Sequence, residues 1–349
     1  MNKSDVVAMA LEAGFSECRI ARANKAAHSD LFEKWLKDGK HGTMEWMEKD
    51  PERRMDPRIV VPGAKSVIVL ALNYYQKDPK LKTDGATGRF ARYAWGEDYH
   101  GIIEKKVKLL VRTLREAGGD HRFYVDYGPV LERDFATESG IGWNGKSTMQ
   151  VHPNMGSWFF LAEIITTLEM EPDSPVPDQC GKCTACLKAC PTNAITHVRR
   201  LDARRCISYH TIENKGPIPE EYRRAMGDRI FGCDACIDAC PWNEYAQESR
   251  ETRFAVRPFV NEMKLRDFLE LDDTEFRKLF RKSPVKRTGR SRFFRNVCVA
   301  LGNVGTKDDL PALRRAAASD DQLVSEHAKW AIREIQERTG SAKTLEAVI

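Results

Sequence analysis

The chain has 349 residues, of which 42% are hydrophobic and 31% charged, and its net charge is +5. This length predicts two or three domains. The balance of hydrophobic and charged residues is typical of globular proteins, which excludes extended disorder. The longest strongly apolar stretches, 66–72 and 157–165, are far shorter than the roughly 20 residues that cross a bilayer, and no secretion signal is apparent. We therefore expect a cytoplasmic protein without a membrane span.

The N-terminal half mixes helical and strand patterns, which predicts a compact domain of the α/β or α+β class. Apolar runs at 66–75 and 121–128 are typical of strands, and the amphipathic run 101–118 predicts a helix between them. A proline-rich stretch, 171–180, has the composition of a linker. We therefore expect the first domain to cover residues 1–168.

Most of the cysteines lie in two runs between Cys180 and Cys240. The first run has the C-x2-C-x2-C-x3-C-P spacing of bacterial ferredoxins, in which the fourth cysteine ligates the other cluster. The second run ends in the same way but lacks its first cysteine, and Cys206 is the nearby candidate to replace it. Crossing the fourth ligands predicts two [4Fe-4S] clusters, one on Cys180, Cys183, Cys186 and Cys240 and the other on Cys190, Cys206, Cys233 and Cys236.

Other uses of these cysteines fit the spacing less well. Zinc sites usually have paired C-x2-C hooks, and disulfides are rare in a reducing compartment. We therefore predict a ferredoxin-like two-cluster domain over 169–250. Cys18 and Cys298 lie in apolar patterns and are expected to be packing residues. A two-cluster ferredoxin needs less than a third of this length, so the other domains must bind something else.

The C-terminal part, 251–349, has a helical pattern, and its short helices are similar to HEAT-type repeats. Within it, the stretch 277–295 contains nine Lys or Arg residues and no acidic residue. Such a stretch can bind the phosphates of a nucleic acid, or it can be a solvated helix face followed by a basic loop.

Several segments taken together resemble the epoxyqueuosine reductases, which share a cobalamin-binding domain and a ferredoxin-like module with reductive dehalogenases. The resemblance covers essentially the whole chain, and its segments are DPRIVVPGAKSVIVLALNYY, RYAWGEDYH, FYVDYGPVLERDFATESGIGWNGKS, GSWFFLAEI, DARRCISYHTIE, GCDACIDACPWN and the basic helical tail. It implies an α+β multidomain protein with an N-terminal α/β cobalamin-binding domain, a ferredoxin-like two-cluster domain and C-terminal α-helical HEAT-like repeats that bind tRNA.

The resemblance also implies an activity. An enzyme of this family is an oxidoreductase that reduces the epoxide of epoxyqueuosine at the wobble position of tRNA to queuosine. Base-off cobalamin would perform the reduction, and the two clusters would supply electrons one at a time. The expected partners are the anticodon stem-loop of tRNAs with GUN anticodons and a low-potential electron donor, with the enzyme acting as a monomer. The wobble nucleotide would have to turn outward to reach the cofactor.

Loss of the epoxide oxygen as water requires a proton donor, and VDYGPVLERD contains three acids, Asp126, Glu132 and Asp134. The resemblance selects Asp126, which follows a predicted strand, although an acid there can also serve as a turn or cap residue. A donor near neutral pH needs a raised pKa, which desolvation against the corrin could provide. Glu132 and Asp134 are interpreted as acids at a helix N-terminus.

The resemblance implies further contacts. Those expected for cobalamin are Arg54, Asp126, Lys146, Ser147, Gln150, Leu161 and Ser208. Ser147 stands where asparagine is more frequent in the family. Those expected for tRNA, from the basic stretch and the surroundings of the clusters, are Lys215, Arg223, Lys286, Arg287, Arg290 and Arg295. Two other functions remain open: a dehalogenase-like corrinoid reductase, which would not need the basic stretch, and a ferredoxin-type electron carrier without a corrin.

Overall fold

The computed structural model describes residues 2–80 and 85–340, so the last nine residues of the predicted third domain lie outside it. In the first half the elements are α1 (Lys3–Glu12), β1 (Glu17–Arg22), α2 (Ser29–Lys37), α3 (Pro51–Met55), α4 (Pro57–Val60), β2 (Ser66–Asn73), β3 (Arg89–Phe90), α5 (Tyr99–Glu116), β4 (His121–Tyr124), α6 (Glu132–Glu138), β5 (Trp143–Asn144), β6 (Gln150–Val151) and β7 (Phe159–Thr166). The cysteine-rich part contains α7 (Ala185–Ala189), β8 (Ile195–His197), β9 (Arg200–Leu201), α8 (Ile207–Ile212), α9 (Glu220–Arg223), β10 (Arg229–Phe231) and α10 (Ala235–Asp238). The helices of the last part are α11 (Pro258–Asn261), α12 (Leu265–Phe268), α13 (Asp273–Leu279), α14 (Arg290–Val304), α15 (Leu310–Ala317) and α16 (Gln322–Arg338).

Four strands form the main sheet in the order β1-β2-β7-β4, and all neighbouring strands are antiparallel. Helices α1 and α5 cover one face of the sheet, and α6 covers the other. The expectation of an α/β domain is therefore corrected, because an antiparallel sheet makes this part α+β. The central strands β2 and β7 are buried on both faces, so they have continuous apolar sequences, which do not distinguish parallel from antiparallel pairing.

The predicted elements of this part are found with small changes. The helix expected at 101–118 is α5, and the strand expected at 66–75 is β2. The strand expected at 121–128 ends four residues earlier, at Tyr124. Asp126 has a left-handed backbone conformation with a φ of +68°, which does not fit an extended strand.

The apolar core of the C-terminal helices includes earlier segments of the chain. The ring of Phe90 in β3 lies 5.1–6.5 Å from four phenylalanine rings, namely those of Phe259, Phe268, Phe280 and Phe293. Strand β3 also pairs in parallel with β10, and the segment from Ile207 to Phe231 contributes to the same core. Three stretches of sequence therefore build one core, and the boundaries at 168/169 and 250/251 stay predictions.

The last three helices pack against one another, with α16 in contact with both α14 and α15. Gly302 allows this close approach, because a side chain there would collide with the Trp330 ring. The HEAT-like repeat stays a prediction. Cys18 and Cys298 are buried in apolar cores, as expected. No helix of the described residues is long and apolar enough to cross a membrane.

Candidate active site

The first group of cysteines lines a cavity beside Pro241 and Trp242; its members are Cys180, Cys183, Cys186 and Cys240. Burial raises the pKa of the Cys186 thiol, and the neighbouring thiols of Cys180, Cys240 and Cys183 raise it further. Cys240 comes from the second cysteine run, so the folded chain brings the two runs together in the crossed arrangement that the spacing predicts.

The second group consists of Cys190, Cys206, Cys233 and Cys236. Burial raises the pKa of Cys236, and the nearby thiols of Cys206, Cys233 and Cys190 add to this effect. The turn Ala203–Arg205 and the start of α8 place Cys206 in the group. All ten cysteines are free, so no disulfide competes with metal binding.

The hairpin formed by β5 and β6 holds the loop of the first group. Trp143 Nε1 donates a hydrogen bond to Cys180 Sγ at 3.4 Å. Lys146 Nζ donates to the carbonyl oxygens of Gly181 and Cys183 at 2.6 and 2.8 Å. These bonds tie the ammonium group of Lys146 to the cysteine loop, and its expected contact with cobalamin stays a prediction.

The other expected cobalamin contacts have different surroundings, and their roles stay predictions. Ser147 is buried and lines the cavity of the first cysteine group. Gln150 is buried and shares a hydrogen bond with Thr137, and Leu161 belongs to the apolar core on the α6 side of the sheet. Ser208 is half-buried on α8, where its carbonyl oxygen accepts from Thr211. None of these four lines the cavity described next.

A cavity of about 370 Å³, here called the inner cavity, contains Arg54 and Asp126 in its wall. Arg54 is 9% exposed, lies 5.2 Å from the Trp46 ring and donates to the carbonyl oxygen of Gly128 at 3.0 Å. Arg54 Nε and the Oδ1 of Asn144, also in the wall, have no hydrogen-bond partner within the described residues. Buried polar atoms usually have a partner, so the inner cavity suits a ligand with polar groups.

A second cavity of about 470 Å³, here called the outer cavity, meets the inner one at Trp46 and Asp126. Its wall contains three basic residues, three acidic residues and, besides Trp46, three aromatic rings, namely Lys215, Arg287 and Arg292, then Glu45, Asp126 and Glu213, then Tyr93, Tyr99 and Phe231. Cations with aromatic rings are the groups that hold the phosphate and base of an unstacked nucleotide.

The Asp126 carboxyl group accepts one hydrogen bond and lies near a histidine. The Tyr99 hydroxyl donates a short hydrogen bond to Asp126 Oδ2, and His100 Nε2 lies 3.8 Å from the same oxygen. Arg287 in turn lies 2.9 Å from His100 Nδ1 and donates to Asp98 at 2.5 Å. The Asp126 side chain is 58% exposed, so the desolvation expected for this carboxyl group would have to come from the bound corrin.

Two further carboxyl groups lie near Asp126. Burial raises the pKa of Glu132 to about 7, and the negative charge of Asp126 contributes. Burial also raises the pKa of Glu163 well above its usual value, with contributions from Glu132 and Asp126. The sequence pattern indicated a helix-terminal acid at Glu132 and assigned no role to Glu163. The available signal was an acid inside the apolar run FFLAEIIT.

The comparisons with known proteins agree with these features. Residues 54–127 match the family model described as "Epoxyqueuosine reductase QueG, DUF1730", and 179–243 match "4Fe-4S double cluster binding domain". An epoxyqueuosine reductase of Xanthomonas campestris is 40% identical over 331 residues, which is 93% of each chain. The chain belongs to the epoxyqueuosine reductase family. The relative from Cellulophaga algicola is 42% identical over 298 residues, covering 84% of this chain and 96% of its own length.

Solved structures of this family are also similar. A crystal structure of epoxyqueuosine reductase with an epoxyqueuosine-modified tRNA-Tyr stem loop has a TM-score of 0.89 at 31% identity, covering 97% of this chain and 92% of that one. The enzyme from Streptococcus thermophilus has a TM-score of 0.90 at 27% identity, covering 99% and 94%. The fold of the family therefore extends over the whole described chain.

Two of the basic residues predicted to bind tRNA are buried. Arg295 is 0% exposed and donates to the carbonyl oxygens of His210, Asn214 and Gly216. Arg223 is 4% exposed and donates to Ile218 and Glu326. A buried guanidinium group cannot reach a phosphate, so the prediction is wrong for these two residues.

The other four basic residues are accessible. Lys215 and Lys286 are exposed, and Lys215 lines the outer cavity. The side chain of Arg287 is 53% exposed although it binds Asp98. Arg290 is 36% exposed, lies 3.2 Å from an oxygen of Asp273 and stacks over the Phe294 ring. A basic surface therefore borders the outer cavity.

Proposed function

We propose that this chain reduces the epoxide of epoxyqueuosine at the wobble position of tRNA to the alkene of queuosine, with electrons from two [4Fe-4S] clusters and with cobalamin as the reductant. The position of Asp126 carries this proposal, because it joins an inner cavity with unsatisfied polar groups to an outer cavity with cations and aromatic rings. The relative crystallised with an epoxyqueuosine-modified stem loop supports the same substrate.

The two groups of cysteines would each hold one cluster. Each group contains four thiols, which is the number that a [4Fe-4S] cluster requires. Burial and the neighbouring thiols raise the pKa of Cys186 in one group and of Cys236 in the other, so their thiolates would be unstable without the positive charge of iron. Trp143 and Lys146 would fix the loop of the first cluster beside the inner cavity.

Arg54 and Asn144 would hold the base-off cobalamin in the inner cavity. Their unsatisfied buried atoms match the carboxamide groups at the rim of a corrin, and Phe32, Trp35 and Val130 offer apolar surface for its face. Bound cobalamin supplies a low-potential, strongly nucleophilic metal centre for the reduction.

Asp126 would donate a proton to the epoxide oxygen. Tyr99 holds its carboxyl group by a hydrogen bond, and Asp126 lines both cavities, so the epoxide must lie at their junction to meet both proton donor and reductant. Lys215, Lys286, Arg287 and Arg290 would hold the anticodon stem-loop by its phosphates, and the outward-turned wobble base would stack in the outer cavity. We propose a cytoplasmic monomer that receives electrons from a low-potential donor.

Asp126→Asn tests the proposal, because it removes a transferable proton and little volume. Conversion of an epoxyqueuosine-containing stem loop by the reconstituted enzyme, followed by mass spectrometry, should fall by roughly 10²- to 10⁴-fold. Iron, sulfide and cobalamin contents should stay the same. Asn144→Ala should instead weaken cobalamin binding. Unchanged turnover in Asp126→Asn would move the proton-donor role to another group.

A further inference from the structure

The proposed reaction needs more protons than one carboxyl group supplies. Converting an epoxide to an alkene breaks two C–O bonds and releases the oxygen as water, which consumes two electrons and two protons. The clusters would deliver the electrons one at a time, and Asp126 would deliver one proton. A second proton must reach the same oxygen, so a second donor is required. This inference rests on the function proposed above.

Glu163 is a carboxyl group without an evident structural role. It lies in the middle of β7, opposite Val69 of β2 and Tyr124 of β4, and is 1% exposed. Its side chain points to the same face of the sheet as Leu161 and Ile165, which is the face covered by α6. Glu163 Oε1 has no hydrogen-bond partner within the described residues. A buried carboxyl oxygen without a hydrogen-bond partner destabilises the fold, whereas a leucine would fill this position without that penalty.

Glu132 connects this buried acid to the active site. It is the first residue of α6 and lines the inner cavity together with Asp126. The charged groups that act on Glu132 are Asp126 and Arg133, and those that act on Glu163 are Glu132 and Asp126. Arg133 donates to the carbonyl oxygen of Thr148 at 3.0 Å, so its charge is partly engaged elsewhere. Glu163 faces the side of the sheet that α6 covers, Glu132 begins α6, and Asp126 shares the wall of the inner cavity with Glu132, so the three carboxyl groups extend from the sheet to the junction of the cavities.

We propose that Glu132 and Glu163 form a proton store that recharges Asp126 with the second proton of each turnover. Asp126 gives its proton to the epoxide oxygen as the first C–O bond breaks and becomes a carboxylate. Glu132 then protonates Asp126, and Glu163 protonates Glu132. Asp126 gives the second proton to the oxygen, which leaves as water when the second C–O bond breaks. Solvent returns both protons to the acids after product release.

Direct observation of the protonated acid tests this store without relying on activity. Infrared spectra of the reconstituted full-length enzyme should show the carbonyl band of a protonated carboxyl group near neutral pH. Glu163→Gln should remove one component of this band and lower its intensity, whereas Glu138→Gln, a control on the same helix as Glu132, should leave the band unchanged. If the band of Glu163→Gln equals that of the wild-type enzyme, Glu163 is not protonated and the proposal fails.

Turnover provides the second test. Glu132→Gln and Glu163→Gln should lower conversion of the stem loop by at least about tenfold at one pH unit above the pKa of Glu132, and less at lower pH. Asp126→Asn should lower it at every pH. Unchanged turnover and an unchanged pH profile in both glutamine variants would overturn the proposal, since water would then supply the second proton. If the wild-type enzyme fails to convert the stem loop, the proposed function fails, while the infrared result still reports on Glu163.

Discussion

Replacing Arg295 with alanine should destabilise the protein strongly and should not act through loss of a tRNA contact. The guanidinium group of Arg295 is completely buried between α14 and the segment that follows α8. It donates hydrogen bonds of 2.5–2.8 Å to the carbonyl oxygens of His210, Asn214 and Gly216. Its removal leaves these three acceptors without their donor in a place that water reaches poorly.

The size of the effect follows from these contacts. A hydrogen bond from a charged donor contributes about 1.5–3 kcal/mol, so the three carbonyl bonds amount to roughly 4.5–9 kcal/mol. Relief of the buried charge offsets several kcal/mol of this sum. We therefore expect the free energy of unfolding to fall by about 3–5 kcal/mol, a large part of the 5–15 kcal/mol typical of a domain.

Urea denaturation followed by far-UV circular dichroism measures this change. Lys286→Ala is the matched control, because Lys286 is an exposed cation of the same basic stretch. It should change the free energy of unfolding by less than about 0.5 kcal/mol. It should also make the slope of the logarithm of the tRNA-binding constant against the logarithm of the salt concentration less steep by roughly 0.7–0.9. A loss below about 1 kcal/mol in Arg295→Ala would refute the reasoning from burial.

Three further changes test other parts of the structure. Cys206→Ser should remove one cluster and leave the other, so iron and sulfide should fall to about half; full retention would contradict the assignment. Trp143→Phe should lower the reduction potential of one cluster in a potentiometric titration, because it removes the N–H donor to Cys180 Sγ that stabilises the more negative reduced state; an unchanged potential would contradict this. The hydrogen bond that His28 Nδ1 donates to Asp134 Oδ1 at 2.7 Å raises the pKa of His28. This pair should stabilise the fold fully below about pH 6.5, and its contribution should decrease as the pH rises through the raised pKa of His28. The free energy of unfolding, measured against pH, should show this decrease in the wild-type protein and should not show it in His28→Gln.

The cysteine arrangement was predictable because local spacing determines it. Three closely spaced cysteines wrap around one cluster, and the Cys-Pro ending repeats in both runs, which indicates the crossed fourth ligands. The structure groups the thiols in this way even though Cys206 lies 27 positions before Cys233. Helix α5 and strand β2 were predictable for a related reason, since their hydrophobic periodicity is local.

The functions of individual charged residues were less predictable. Arg287 and Arg295 belong to the same basic stretch, yet Arg287 borders the outer cavity and Arg295 is buried in the protein. Helical periodicity alone does not reveal which carbonyl groups lie beside a given arginine, because those groups belong to α8 and the loop after it. The hydrogen-bond partners of Lys146 were unpredictable for the same reason, because they are carbonyl groups of the cysteine loop.

The properties of the carboxyl groups near Asp126 were also only partly predictable from the sequence. Glu132 and Asp134 stand at the start of α6 as predicted, but their environments differ. Asp134 is paired with His28, whereas burial and the charge of Asp126 raise the pKa of Glu132 to about 7. This difference depends on long-range packing of α6 against the sheet, which sequence periodicity does not specify. The sequence shows Glu163 as an unusual acid inside an apolar strand. The burial of its carboxyl group depends on the same packing of α6 against the sheet.

The central claim is tested most directly by incubating the enzyme, reconstituted with iron, sulfide and cobalamin, with a reductant and a tRNA stem loop that carries epoxyqueuosine. Mass spectrometry of the released nucleosides should show loss of one oxygen atom from epoxyqueuosine, and this product should be absent when cobalamin is omitted. Conversion of the epoxide without cobalamin, or a fully loaded enzyme that leaves the modified nucleoside unchanged, would contradict the account.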